Sequence, residues 1–119
     1  MQESGEMYLE SILVLKEKQE LVRAVDIGAY LGFSKPSVSR ALSLLRKDEY
    51  VTVEDSGNIL LSEKGKAVAE RVYDNHKLLT KFLTEIGVSP ETASKDACKI
   101  EHDISSESVE AIKKFLKTR

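Results

Sequence analysis

The sequence predicts a mainly α-helical fold, a winged helix-turn-helix followed by a smaller helical unit. Three observations carry that expectation. Apolar residues recur at helical spacing along most of the chain. A short helical run ends at Gly32 and is followed at once by a second run that opens on Ser34-Lys35-Pro36. Two short β-type runs, Tyr50-Val51-Thr52-Val53 and Ile59-Leu60-Leu61, flank the turn sequence Asp55-Ser56-Gly57-Asn58.

Tyr8, Leu9, Ile12, Leu13 and Leu15 line one face of a first helix from about Glu6 to Lys18, and Gln19 to Arg23 reads as a connection. A second helix spans about Val25 to Leu31, where Gly32 can take the left-handed conformation that stops it. Ser34 caps a third helix, and Pro36 falls in its first turn, where a missing N–H costs little. Val38, Ala41, Leu42 and Leu45 are its buried stripe. After the hairpin, helical spacing returns at Ser62 and continues to Ile86, a length suited to a connecting or dimer-forming helix, and Gly87 ends it. Ser89-Pro90 starts a fifth helix expected to carry Cys98, Glu101 and His102. Ser105 or Ser106 caps a last one with Val109, Ile112 and Leu116 on its apolar face. The expected division is residues 1–72 for the winged helix-turn-helix and 73–119 for the helical unit.

Composition narrows the function. The chain has 119 residues, 41% hydrophobic and 32% charged, enough for one globular domain or two small ones and too apolar for disorder. A net charge of -2 argues against binding nucleic acid through overall charge, so any such affinity must be local. From Ser34 to Lys47 the chain carries Lys35, Arg40, Arg46 and Lys47 and no acidic residue. The single cysteine excludes an intrachain disulfide and, with no signal-like start, points to the reducing cytoplasm. No stretch is long and apolar enough for a membrane span.

Cys98, Glu101 and His102 stand at i, i+3 and i+4, so on a helix a thiol, a carboxylate and an imidazole share one face. That is half of a metal site. Met7 and Glu10, at i and i+3, and His76 offer completing ligands. Taken singly, each has a plainer reading: Cys98 and Met7 as packing residues, His76 as an ordinary helix histidine, and the lysines and arginines as a solvated face.

The order of elements, with Glu6-Met7-Tyr8-Leu9-Glu10, Ser34-Lys35-Pro36-Ser37-Val38-Ser39-Arg40, Lys47-Asp48-Glu49-Tyr50, Leu61-Ser62-Glu63-Lys64-Gly65 and Glu101-His102-Asp103-Ile104-Ser105, resembles the metal-dependent repressors of the diphtheria toxin repressor and manganese transport regulator family. The resemblance covers about Glu6 to Leu116. It implies a winged helix-turn-helix DNA-binding domain plus a helical metal-binding and dimerisation domain, in the short form without an SH3-like domain. It places the metal ligands on Met7, Glu10, His76, Cys98, Glu101 and His102. Met7 and Cys98 look like the iron-responsive branch, while Glu10 and His76 match the second metal position of the manganese-responsive one. A thioether and a thiolate favour softer ions, so the expected cofactor is a divalent transition metal, Fe²⁺ before Mn²⁺. Thr80 and Ser94 stand where the iron branch has an ancillary site, which is expected to be absent or changed.

The expected protein is therefore a cytoplasmic homodimer that binds a double-stranded DNA operator, a repressor of metal uptake genes with no enzymatic activity. Arg40 is the candidate for a bidentate base contact, and Pro36 for apolar contact with a thymine methyl. Ser34, Ser37 and Ser39 fit phosphate contacts at a helix start, with Lys35 and Lys47 adding charge. Glu54 and Asp55 would be repelled by phosphate, so no strong contact is expected from the wing tip. The alternatives are a winged-helix protein-interaction module, a regulator sensing a small organic ligand, and an enzyme using Cys98 as nucleophile with His102 as base.

Overall fold

The computed structural model describes residues 2–119. Its elements run α1 (Glu3–Lys18), α2 (Ala24–Leu31), α3 (Lys35–Lys47), β1 (Val51–Val53), β2 (Ile59–Leu61), α4 (Glu63–Glu85), α5 (Pro90–Ile100) and α6 (Ser106–Lys117). The chain forms two compact units, which meet in sequence between Glu70 and Arg71, within α4.

In the first unit α1, α2 and α3 enclose a core of Leu9, Ile12, Ile27, Val38 and Leu45, closed by Val51 and Ile59 of the hairpin. α1 starts at Glu3, a turn earlier than the apolar spacing suggests, because its first turn is polar and carries Glu3 and Glu6, charges that suit a helix N-terminus. α2 stops at Gly32, whose φ of 74° allows the Gly32 and Phe33 N–H groups to donate to the Gly28 carbonyl. Ser34 then caps α3, its Oγ accepting from the Ser37 N–H. The end of α3 uses the same device without glycine. Glu49 sits at φ 64° while the Tyr50 N–H donates to the Leu45 carbonyl.

β1 and β2 pair antiparallel with Val51 opposite Leu61 and Val53 opposite Ile59. The wing is fastened to the connection between α1 and α2. Asn58 Oδ1 accepts from Lys16 Nζ at 2.7 Å and from the Val22 N–H at 3.0 Å, its Nδ2 donates to Glu54 at 2.8 Å, and Arg23 Nε donates to the Ser56 carbonyl at 3.0 Å. Where α4 begins, a Cβ on Gly65 would fall on the Tyr50 carbonyl, so glycine is required there.

In the second unit the remainder of α4 packs with α5 and α6. Gly87, at φ 109°, ends α4 as the Val88 N–H donates to the Leu83 carbonyl. Ser89 caps α5 and Ser105 caps α6. Val72, Leu79, Ala93 and Ala97 are buried, and Phe82 and Phe115 meet edge to face with centroids 6.0 Å apart. Among the described residues, no helix is long and apolar enough to cross a membrane.

Candidate metal centre and nucleic-acid interface

α5 and the turn after it face α4 where His76 stands, and this brings the donors together. Ala93 and Ala97 are fully buried, and Ser94 and Cys98 on the neighbouring face both reach His76. Ser94 Oγ is 3.5 Å from His76 Nε2, and Cys98 Sγ is 3.7 Å from His76 Nδ1. α5 ends at Ile100, so Glu101 and His102 lie in the turn beyond the helix that was expected to carry them. Glu101 nevertheless keeps right-handed helical dihedrals, and its N–H donates to the Ala97 carbonyl. The side chain thus stays on the same face as Cys98. Asn75 Nδ2 donates to the Glu101 carbonyl at 3.3 Å and holds this turn to α4.

Glu101 Oε2 is 2.8 Å from His76 Nδ1, and Oε1 is 3.4 Å from His102 Nε2. Glu101 and the His102 side chain are almost fully enclosed, while Cys98 is exposed. One donor atom from each of His76, Cys98 and Glu101 falls within 4.8 Å of the others. Donor atoms around one transition ion, at roughly 2.0–2.3 Å from it, lie about 3–4 Å from each other, so small side-chain rotations complete such a site. Imidazole, thiolate and carboxylate are also the donor types that borderline divalent ions take. The residues fit the group.

Met7 and Glu10 lie three residues apart on α1, both half-buried. Thr80 Oγ1 donates to the His76 carbonyl of its own helix, so both Thr80 and Ser94 are engaged around His76. Asn75 gives no indication of such a role in the sequence, since neither residue type nor spacing marks it, and Ser94 was marked only by the resemblance.

The second candidate surface is α3. Lys35, Pro36, Ser39, Arg40, Ser43, Arg46 and Lys47 are exposed and Ser37 is half-buried, with Val38, Leu42 and Leu45 turned inward. A helix start free of acidic residues, capped by Ser34 and flanked by cations, attracts phosphate. Tyr8 of α1 is packed beside it, its ring centroid 5.9 Å from that of Phe33. Burial raises the Tyr8 hydroxyl above its usual pKa, and the Arg40 guanidinium acts in the opposite direction. On the wing, Glu54 is bound by Asn58 and Asp55 is exposed.

A winged helix-turn-helix joined to a helical unit that clusters an imidazole, a thiol and a carboxylate defines a metal-responsive class of transcriptional regulator. The chain belongs to the iron-dependent repressor family. Residues 1–58 match its N-terminal DNA-binding domain, and residues 62–119 match its metal-binding and dimerisation domain. An HTH-type transcriptional regulator of Methanocaldococcus jannaschii is 36% identical over 98% of this chain and 94% of its own length. The HTH-type transcriptional regulator MntR of Bacillus subtilis is 37% identical over 92% of this chain and 77% of its own. Among solved structures, the manganese regulator SloR superposes with a TM-score of 0.85 at 28% identity, over 97% of this chain. The chain spans about half, 54%, of the SloR chain.

Proposed function

We propose that this protein is a metal-activated, DNA-binding transcriptional regulator that represses its target genes. The observation that carries the reading is the convergence of His76, Cys98 and Glu101 within 4.8 Å, in the region that matches a metal-binding and dimerisation domain. These three residues with His102, Met7 and Glu10 are the proposed ligands. A bound divalent ion supplies positive charge and a fixed coordination geometry. The first domain, to residue 72, reads DNA, and the second, from residue 73, binds metal and forms a homodimer.

The Cys98 thiolate and the Met7 thioether favour Fe²⁺, and the carboxylates of Glu10 and Glu101 make Mn²⁺ the next candidate. Manganese is the metal that the SloR structure names. Ser34, Lys35, Ser37, Ser39 and Lys47 position α3 on phosphates while Arg40 and Pro36 meet base edges in the major groove. Two copies related by a two-fold axis would set the spacing of two such helices to a pair of half-sites. The work is binding rather than turnover, and it takes place with the DNA in the cytoplasm.

The test is DNA binding by the full chain, titrated separately with Mn²⁺ and, anaerobically, with Fe²⁺. The probe is a duplex selected by the metal-loaded protein from random-sequence DNA. A rise in affinity with metal that is lost in Glu101→Gln supports the reading. Affinity independent of both metals would overturn it, as would a monomer by sedimentation at micromolar concentration with and without metal.

A further inference from the structure

Tyr8 stands on the turn of α1 that carries Met7 and Glu10. On one side its ring packs against Phe33 at 5.9 Å with the planes tilted by 55°. On the other an open cleft of about 520 Å³ separates the start of α1 from Ala41, Leu44 and Leu45 of α3 and is lined in part by Tyr8 itself. Leu9 and Ile12, the next apolar residues of α1, are fully enclosed in the core. Tyr8 is itself only 5% exposed and belongs to the same core, so its ring moves with the turn of α1 that carries it.

Phe33 is directly joined to the reading helix. It precedes Ser34, whose hydroxyl caps α3, and its N–H donates to the Gly28 carbonyl at 3.1 Å. A Cβ built on Gly28 would stand 3.2 Å from the Phe33 carbonyl oxygen, so the turn is tightly closed. A displacement of Phe33 therefore moves the start of α3, with Pro36, Ser37 and Arg40, as a body.

We propose that Tyr8 is the positioning residue that carries the state of Met7 and Glu10 to α3, its ring on Phe33 setting the orientation of the helix that reads DNA. This rests on the assignment of Met7 and Glu10 as metal ligands. When those two side chains are drawn into a fixed arrangement, the turn of α1 that holds them is fixed too, and Tyr8 with it. The ring then holds Phe33, and through Phe33 the capped start of α3, in one of its available positions. The hydroxyl is not needed for this, since the contact is made by the ring.

The experiment uses the full chain, Mn²⁺ and the selected duplex. For the parent, Tyr8→Phe, Tyr8→Leu and Phe33→Leu it measures duplex affinity with and without Mn²⁺, and Mn²⁺ affinity without DNA. The readout is the gain in duplex affinity on adding Mn²⁺, a coupling that typically lies at about 5–150-fold and that a general loss of structure or of DNA contact would not selectively reduce. Tyr8→Phe should keep the parent gain. Tyr8→Leu and Phe33→Leu should each lose about tenfold of it, while Mn²⁺ affinity without DNA and duplex affinity without Mn²⁺ stay near those of the parent.

A parent-like gain in Phe33→Leu, whose side chain is partly exposed and whose fold is therefore secure, overturns the proposal even where Tyr8→Leu fails to fold. An equal loss in Tyr8→Phe and Tyr8→Leu overturns it as well, because the ring contact is then not the carrier. Weakened Mn²⁺ binding without DNA in Tyr8→Leu would place Tyr8 in ligation and not in coupling. A parent with no Mn²⁺-dependent gain removes the metal-regulator reading itself, whereas a parent with the gain and variants that share it removes only the role of Tyr8.

Discussion

Glu101 Oε2 lies 2.8 Å from His76 Nδ1, and the carboxylate that makes this contact is only 2% exposed. A carboxylate so enclosed depends on its neighbours for what water would otherwise supply, and here both oxygens face imidazole nitrogens, those of His76 and His102. Glu101→Gln retains the size and one accepting oxygen but removes the charge. The expected outcome is loss of metal-activated DNA binding with a stability change of no more than about 1–3 kcal/mol. Thermal unfolding and metal titration of the same preparation check it, and a variant with parent metal dependence would remove Glu101 from the ligand set.

Arg40 and Lys47 both stand exposed on α3, seven residues apart, and their side chains differ in what they can read. A guanidinium can bind guanine O6 and N7 together, whereas an ammonium at the far end of the helix meets phosphate as a point charge. Arg40→Ala should lower specific affinity by about 1–3 kcal/mol and relax sequence preference, and Lys47→Ala should weaken all duplexes alike and reduce the salt dependence. Equal losses on selected and random DNA in Arg40→Ala would remove the base contact.

Asn58 ties the wing to the first unit through both ends of its amide, accepting from Lys16 and Val22 and donating to Glu54. Alanine there would leave the Val22 N–H without its acceptor, a loss of about 1–3 kcal/mol. Asn58→Ala should therefore lower stability by that amount in denaturant unfolding. Wild-type stability in the variant would show that water replaces the amide.

Most of the architecture was legible because apolar periodicity, capping serines and glycine stops coincide: Gly32 and Gly87 both take positive φ, and Ser34, Ser89 and Ser105 cap their helices. The end of α3 was less legible, since the residue in the left-handed conformation is Glu49 and not glycine. The grouping of Cys98 with Glu101 survives the end of α5 because the turn remains helical at Glu101. The parts played by Asn75 and Phe33 were not legible at all, because each follows from the approach of two segments distant in sequence. The Glu49 geometry has its own consequence. A side chain in the left-handed region costs about 1–2 kcal/mol, so Glu49→Gly should raise stability by roughly 1 kcal/mol. A lowered midpoint would show that the Glu49 side chain contributes more than its backbone costs.

Cys98 is the donor on which metal preference turns. It is exposed and lies 3.7 Å from His76 Nδ1, so its side chain can be exchanged for a carboxylate without opening the core. A thiolate is a soft donor that suits Fe²⁺ better than Mn²⁺, while a carboxylate is hard and suits Mn²⁺. Cys98→Glu should therefore retain metal activation and shift the preference toward Mn²⁺. The measured quantity is the ratio of free Fe²⁺ to free Mn²⁺ giving half-maximal binding to the selected duplex, determined anaerobically in one buffer for parent and variant. A ratio that rises in the variant is the expected result. An unchanged ratio with activation intact would show that Cys98 does not set the preference, which would then rest with Met7, the other soft side chain of the proposed set.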